Sequence, residues 1–152
     1  APMGTRSLGP KRPMVASGPA GCNGFMENVA PLIAVVDDEE SVRRALARLL
    51  RSAQYQVEGF ASARAFLESL ALQVPQCIVL DLHMPEVTGL ELQQRLRQLE
   101  IRIPVIVITA YDEPDSRDQC LALGAERYFA KPVDGHRLIR SIRQLVTPGR
   151  AL

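Results

Sequence analysis

Four apolar runs in this chain show no period-two alternation, and each ends on a polar group: LIAVVDD from Leu32 to Asp38, CIVLD from Cys77 to Asp81, VIVIT from Val105 to Thr109, and YFAK from Tyr128 to Lys131. Continuous β-branched and aliphatic stretches of this length predict strands buried on both faces, as in a parallel sheet covered by helices. A further short strand is predicted from Gln56 to Phe60. Helical spacing fills the intervals. Val42, Ala45, Leu46, Leu49 and Leu50 form one face of a first helix, with Arg43, Arg44, Arg48 and Arg51 on the other. Ser62 is placed to cap a second helix carrying Ala65, Phe66 and Leu70. A third starts at about Gly89 and turns Leu90, Leu92, Leu96 and Leu99 inward, up to the strand that follows Pro104. Asp112 to Leu123 predicts a weaker helix, with Pro114 in its first turn and Gly124 at its end. Asp134 caps the last, which bears Leu138, Ile139, Ile142 and Leu145 and stops before Pro148.

Five βα units of this kind predict an α/β fold: a five-stranded parallel sheet flanked by five helices, flavodoxin-like. The usual strand order for such a sheet, 2-1-3-4-5, reverses between strands 1 and 3, and ligands bind in the crevice at the reversal. Asp37 and Asp38 would flank that crevice on one side and Asp81 on the other, with Thr109 and Lys131 reaching in from strands 4 and 5.

Composition narrows the classes. With 152 residues and 47% hydrophobic content there is one core, predicted over residues 31–147. Ala1 to Asn28 holds four prolines and five glycines with few aliphatics. We expect residues 1–30 to be a disordered tail or leader, whose few basic residues are Arg6, Lys11 and Arg12, and 148–152 to be a tail or truncated linker. A net charge of +1 and 5% aromatic residues argue against direct nucleic-acid binding by this chain. No stretch approaches the ~20 apolar residues that cross a bilayer, so a cytoplasmic protein without membrane contact is expected. Cys22, Cys77 and Cys120 form no CxxC pair or Cys/His cluster, which predicts reduced, structural thiols.

Three carboxylates in one crevice repel one another by ~4 kcal/mol per pair at about 4 Å and an effective dielectric near 20, so they require a cation. Oxygen ligands without cysteine or histidine select Mg²⁺, with Mn²⁺ as the substitute. Lys131 can hold one phosphoryl oxygen as a point charge and Thr109 can donate to another. An aspartate carboxylate is a competent nucleophile toward phosphorus, giving an acyl phosphate.

From Leu32 to Val146 these residues resemble the receiver domain of bacterial two-component response regulators. The resemblance implies that Asp37 and Asp38 are the acidic pair at the Mg²⁺ site and that Asp81 is the phosphoacceptor. The donor would be the phosphohistidine of a sensor histidine kinase or phosphotransfer protein. It implies that the His83 backbone carbonyl also ligates the metal, and that Met84, Pro85 and Gly89 in DLHMPEVTG form the loop after the phosphoacceptor. Thr109-Ala110 matches the switch hydroxyl and its small neighbour, Tyr128 the aromatic switch position, and Lys131-Pro132 a lysine often followed by a cis-proline bond. His83 and Tyr111 stand where family members tune loss of the phosphoryl group. The implied activity is self-phosphorylation and slow dephosphorylation only, altering the surface of helix 4, strand 5 and helix 5 for a second copy, an output domain or a target protein. The segment FASARAFLESL resembles receivers that precede helix-turn-helix domains. A phosphatase of the haloacid-dehalogenase type would place an acid two residues after its nucleophile, where His83 stands. A phosphate-independent receiver-like scaffold would lack part of the constellation.

Overall fold

The computed structural model describes residues 29–146. Residues 1–28 of the expected leader, Cys22 among them, and the expected C-terminal tail lie outside the described residues. Strands β1 (Leu32–Val36), β2 (Gln56–Phe60), β3 (Cys77–Asp81), β4 (Val105–Thr109) and β5 (Arg127–Ala130) alternate with helices α1 (Glu40–Ser52), α2 (Ala63–Ser69), α3 (Gly89–Gln98), α4 (Pro114–Ala122) and α5 (Gly135–Leu145). The sheet is wholly parallel, in the order β2-β1-β3-β4-β5, as expected.

Alternation of side chains across the sheet divides the core in two. Ile33, Val35, Val79, Ile106 and Ile108 meet Leu46 and Leu50 of α1 and Leu138 and Ile142 of α5 on one face. Ala34, Val36, Ile78, Leu80 and Val107 meet Phe66 of α2, Leu92 and Leu96 of α3, and Cys120 of α4 on the other. β3 and β4 are buried at every position, which accounts for their unbroken apolar runs. β5 departs from the prediction of a buried strand: Tyr128 and Phe129 are only half-buried because β5 is an edge of the sheet, with a neighbour on one side alone.

Caps fall largely where the polar residues predicted them. Ser62 Oγ accepts from the Ala65 amide at 3.1 Å. The Asp134 carboxylate accepts from the amides of His136 and Arg137 at 2.9 and 3.4 Å, Pro114 opens α4, and Gly124 follows it at φ +105°. Thr88 and Glu91 add a reciprocal capping box at the start of α3, which sequence reasoning did not single out. Leu99 does not continue the apolar stripe: it caps α3 and is 55% exposed. The chain reverses at Glu100, φ +58°, and Ile101 packs on the core instead.

α3 starts hard against the end of β3. A Cβ built on Gly89 would lie 2.6 Å from the Asp81 carbonyl oxygen and 2.8 Å from Leu82 Cα, backbone atoms with no room to yield. We expect Gly89→Ala to cost about 2 kcal/mol of stability through overpacking, read as a lower urea midpoint at unchanged slope.

Candidate functional site

Register brings the acids together. Val36 of β1 pairs with Leu80 of β3, so the next residue of each strand, Asp37 and Asp81, are neighbours at the carboxyl edge of the sheet. Thr109 ends β4 beside Ala130, and Lys131 follows, its amide donating to the Thr109 carbonyl at 2.7 Å. Asp37, Asp81 and Thr109 are buried.

Asp37 is locked through each of its polar groups. Its amide donates to the Phe60 carbonyl at 3.0 Å, and its own carbonyl accepts from the Arg43 guanidinium at 2.7 Å. Oδ1 accepts from the Glu39 amide and Oδ2 from Lys131 Nζ, both at 2.9 Å. The same Nζ lies 3.6 Å from Asp81 Oδ1 and 3.9 Å from Glu39 Oε1. Burial lowers the Lys131 pKa, but its bond to Asp37 and the charges of Asp81, Asp37 and Glu39 outweigh that and leave it raised. Burial, and then the charge of Asp37, push the Asp81 carboxyl up to about 6 against the opposing pull of Lys131.

Asp37, Asp38 and Asp81 each offer a carboxylate oxygen within 4.8 Å of the others. Three hard anionic ligands at one point, two of them buried and with a single lysine as counterweight, fit a divalent cation of the Mg²⁺ type. Asp38 is the exposed member.

The remaining predicted residues lie around this cluster. The His83 amide points to Asp81 Oδ1 at 3.4 Å. Its ring meets that of Tyr111 edge to face, with centroids 4.8 Å apart and planes at 83°. The Thr109 hydroxyl is engaged in its own turn, accepting from the Tyr111 amide at 3.0 Å and donating to the Tyr111 carbonyl at 3.3 Å, and does not bond Asp81. Tyr128 stands apart from the acids. Its ring packs on the α4 side of the core, under the Arg117 guanidinium at 5.3 Å, with its hydroxyl buried and lacking a hydrogen bond of ordinary geometry. The Lys131–Pro132 bond is cis. Glu39 and Arg43 also touch the site, and sequence reasoning did not single them out. The acidic run D-D-E-E pointed to the first, whereas an arginine on the polar face of a helix carries no such signal.

Residues 33–143 match the response regulator receiver domain family. Response regulator protein TodT of Pseudomonas putida is 35% identical over 118 residues, 78% of this chain and 52% of its own length. Transcriptional regulatory protein TdiR of Thauera aromatica is 34% identical over 123 residues, 81% of this chain and 54% of its own. The chain thus spans about half the length of the curated relatives it matches. Among solved structures, a receiver protein from Burkholderia phymatum superposes with a TM-score of 0.68 at 39% identity, covering 76% of this chain and 94% of that one. Response regulator StyR gives 0.72 at 37% identity, covering 78% and 60%.

A raised carboxyl pKa makes the ionised form a burden on the fold. The unfolded chain releases the Asp81 proton at about pH 3.9, the folded chain near 6, so stability falls as pH rises through that interval and stays low above it. In metal-free buffer we expect Asp81→Asn to be more stable than the parent by about 1–3 kcal/mol at pH 7.5 and by much less at pH 4. Thermal denaturation at both pH values checks this, and saturating Mg²⁺ should narrow the gap at pH 7.5.

Proposed function

The chain belongs to the response regulator receiver domain family, and on that premise we propose that it is a phosphorylation-dependent switch in which Asp81 accepts a phosphoryl group from the phosphohistidine of a sensor kinase or phosphotransfer protein. One observation carries this: Lys131 Nζ stands between two buried carboxylates, 2.9 Å from Asp37 and 3.6 Å from Asp81. A buried acid pair bridged by one mobile cation is costly as a structural device and suited to receiving a phosphoryl anion.

In the proposed reaction an Asp81 oxygen attacks phosphorus. The P–N bond breaks with its electron pair leaving on the imidazole, and an acyl phosphate forms on Asp81. Asp37, Asp38 and Asp81, joined by the His83 carbonyl, would hold Mg²⁺ or Mn²⁺. Such an ion, when bound, neutralises charge on the phosphoryl oxygens. Lys131 turns from Asp81 to one of those oxygens. Thr109 gives up its 3.3 Å bond to the Tyr111 carbonyl to donate to another. Tyr128 then moves toward the space Thr109 vacates, which alters the surface of α4, β5 and α5. Full inversion of a 1:99 population would need ~5.5 kcal/mol of preference, so partial activation is expected. The largely apolar groove beside Lys131, lined by Val42, Ala45, Leu46, Pro132 and Val133, supports approach of the phosphodonor protein from the α1 side.

The changed surface would be read by a second copy of the chain, forming a phosphorylation-dependent homodimer, or by an output domain. The greater length of the relatives supports the second. The proposed location is the cytoplasm, and no described helix is long and apolar enough to cross a membrane. His83 and Tyr111, in edge-to-face contact over the site, limit approach of water to the acyl phosphate.

Intact-mass measurement after acetyl phosphate treatment should show one added phosphoryl group with Mg²⁺, much less with chelator, and none in Asp81→Asn. An unmodified parent chain would leave the phosphate-independent scaffold as the better account. The His83→Asn, Tyr111→Ala double variant should lose the group several-fold faster than the parent, followed by the decay of the modified mass.

A further inference from the structure

We propose that Arg43 is a positioning residue for the metal-binding acids and that the small size of Gly59 leaves room for its stem. The inference rests on the reading that Asp37, Asp38 and Asp81 hold a divalent cation. By sequence Arg43 belongs to the polar face of α1, with Arg44, Arg48 and Arg51. Unlike Arg44, which is exposed and pairs loosely with Glu40 at 3.6 Å, Arg43 folds back toward the strand ends and donates to the Asp37 carbonyl at 2.7 Å. Its stem crosses Gly59 of β2: a Cβ there would sit 3.4 Å from Arg43 Cδ and 3.8 Å from Cβ and Nε. Alanine is just tolerated at that spacing, and a branched residue would displace the stem.

The bond matters because of what the turn carries. Asp37 and Asp38 leave β1 before α1 begins, and Asp38, the exposed ligand, takes its position from the backbone of this turn. A guanidinium is charged at every working pH and its hydrogen bonds are charge-assisted, so it fixes that backbone more firmly than a neutral donor would. Bare electrostatics makes the opposite prediction. A cation near the acids repels a metal ion, so its removal should tighten binding, and the two roles therefore differ in sign.

The test is calorimetric titration of the full chain with Mg²⁺, since the protein has no tryptophan to report binding by fluorescence. Arg43→Met should weaken Mg²⁺ binding by about tenfold, the lower end of what loss of a ligand-orienting group costs. Arg43→Lys, which keeps a charged donor, should recover most of that affinity. Gly59→Val should weaken binding in the parent chain but have little further effect in the Arg43→Met background, because both changes remove the same contact. Unchanged or tighter binding by Arg43→Met overturns the proposal, as does an equal Gly59→Val effect in both backgrounds. Should Arg43→Met fail to fold, Gly59→Ala and Gly59→Val decide: near-parental binding by the first with weakened binding by the second supports the role, and equal binding by both overturns it. A parent chain that binds no Mg²⁺ removes the cation reading and this inference together, whereas normal parental binding with an indifferent Arg43→Met removes this inference alone.

Discussion

Two carboxylates forced together out of water govern this molecule. Parallel pairing of β1 with β3 places Val36 against Leu80, and the next residue of each strand is an aspartate. Neither can turn to solvent, because the strands that deliver them are buried on both faces. The domain answers with Lys131, delivered from the far edge of the sheet by β5, whose own pairing with β4 fixes how far the ammonium reaches. Much of the fold is thus a means of bringing one cation to two anions, the farther of them, Asp37, 94 residues away in sequence. The raised carboxyl of Asp81 measures how incomplete that compensation is.

Away from the acids the packing is uneven in a way that suits a switch. α5 buries Leu138, Ile142 and Leu145 against the sheet, whereas α4 buries Cys120 alone. α4 is held chiefly at its C-terminal end, where Gln93 and Arg97 of α3 donate to the carbonyls of Cys120 and Ala122 at 3.2 and 3.1 Å. Gln93 Oε1 is buried near this helix without a hydrogen-bond partner among the described residues, and the buried Tyr128 hydroxyl meets Asp112 and Glu113 only in poor hydrogen-bond geometry. An unsatisfied oxygen such as Gln93 Oε1 costs about 1–3 kcal/mol, so the contact beneath α4 is a poorly satisfied part of the core. Thr109 and Tyr111 lead into its N-terminal end. A change at Asp81, the proposed phosphoacceptor, therefore meets the helix with the fewest buried side chains.

Much of this was legible in the residues because it rests on one-dimensional pattern. Unbroken runs such as VIVIT can only be strands sheltered on both sides, and the polar residue ending each run marks the ligand edge. Where the sequence misled, three-dimensional context had overridden local pattern. Leu99 keeps the spacing of an apolar stripe, yet the chain turns at Glu100 and hands its place to Ile101. Tyr128 and Phe129 belong to a strand run but sit at an edge. Arg43 is indistinguishable in sequence from the solvated arginines around it, and its stem passes over Gly59, where a small residue leaves it room. His83 and Tyr111, which the resemblance singled out together, meet across two loops that no local pattern relates.

The division of labour among the acids in the proposed chemistry follows from their hydrogen bonds. Both carboxylate oxygens of Asp37 are occupied at 2.9 Å, one by the Glu39 amide and one by Lys131. An oxygen so held has lost much of its freedom to attack, and its carboxylate is better suited to lean on a cation. Asp38 is exposed, and water would compete with any phosphoryl group bound there. Asp81 differs from both: it is buried, and its Oδ1 receives only the 3.4 Å approach of the His83 amide and the 3.6 Å approach of Lys131. Its raised pKa is the same fact in another form, since a carboxylate that solvent and donors stabilise poorly is the more basic and the more nucleophilic. Of the three acids, Asp81 is thus the one whose carboxylate is both buried and weakly held, and in the proposed chemistry its phosphorylation would place oxygens where Lys131 and a bound cation can meet them.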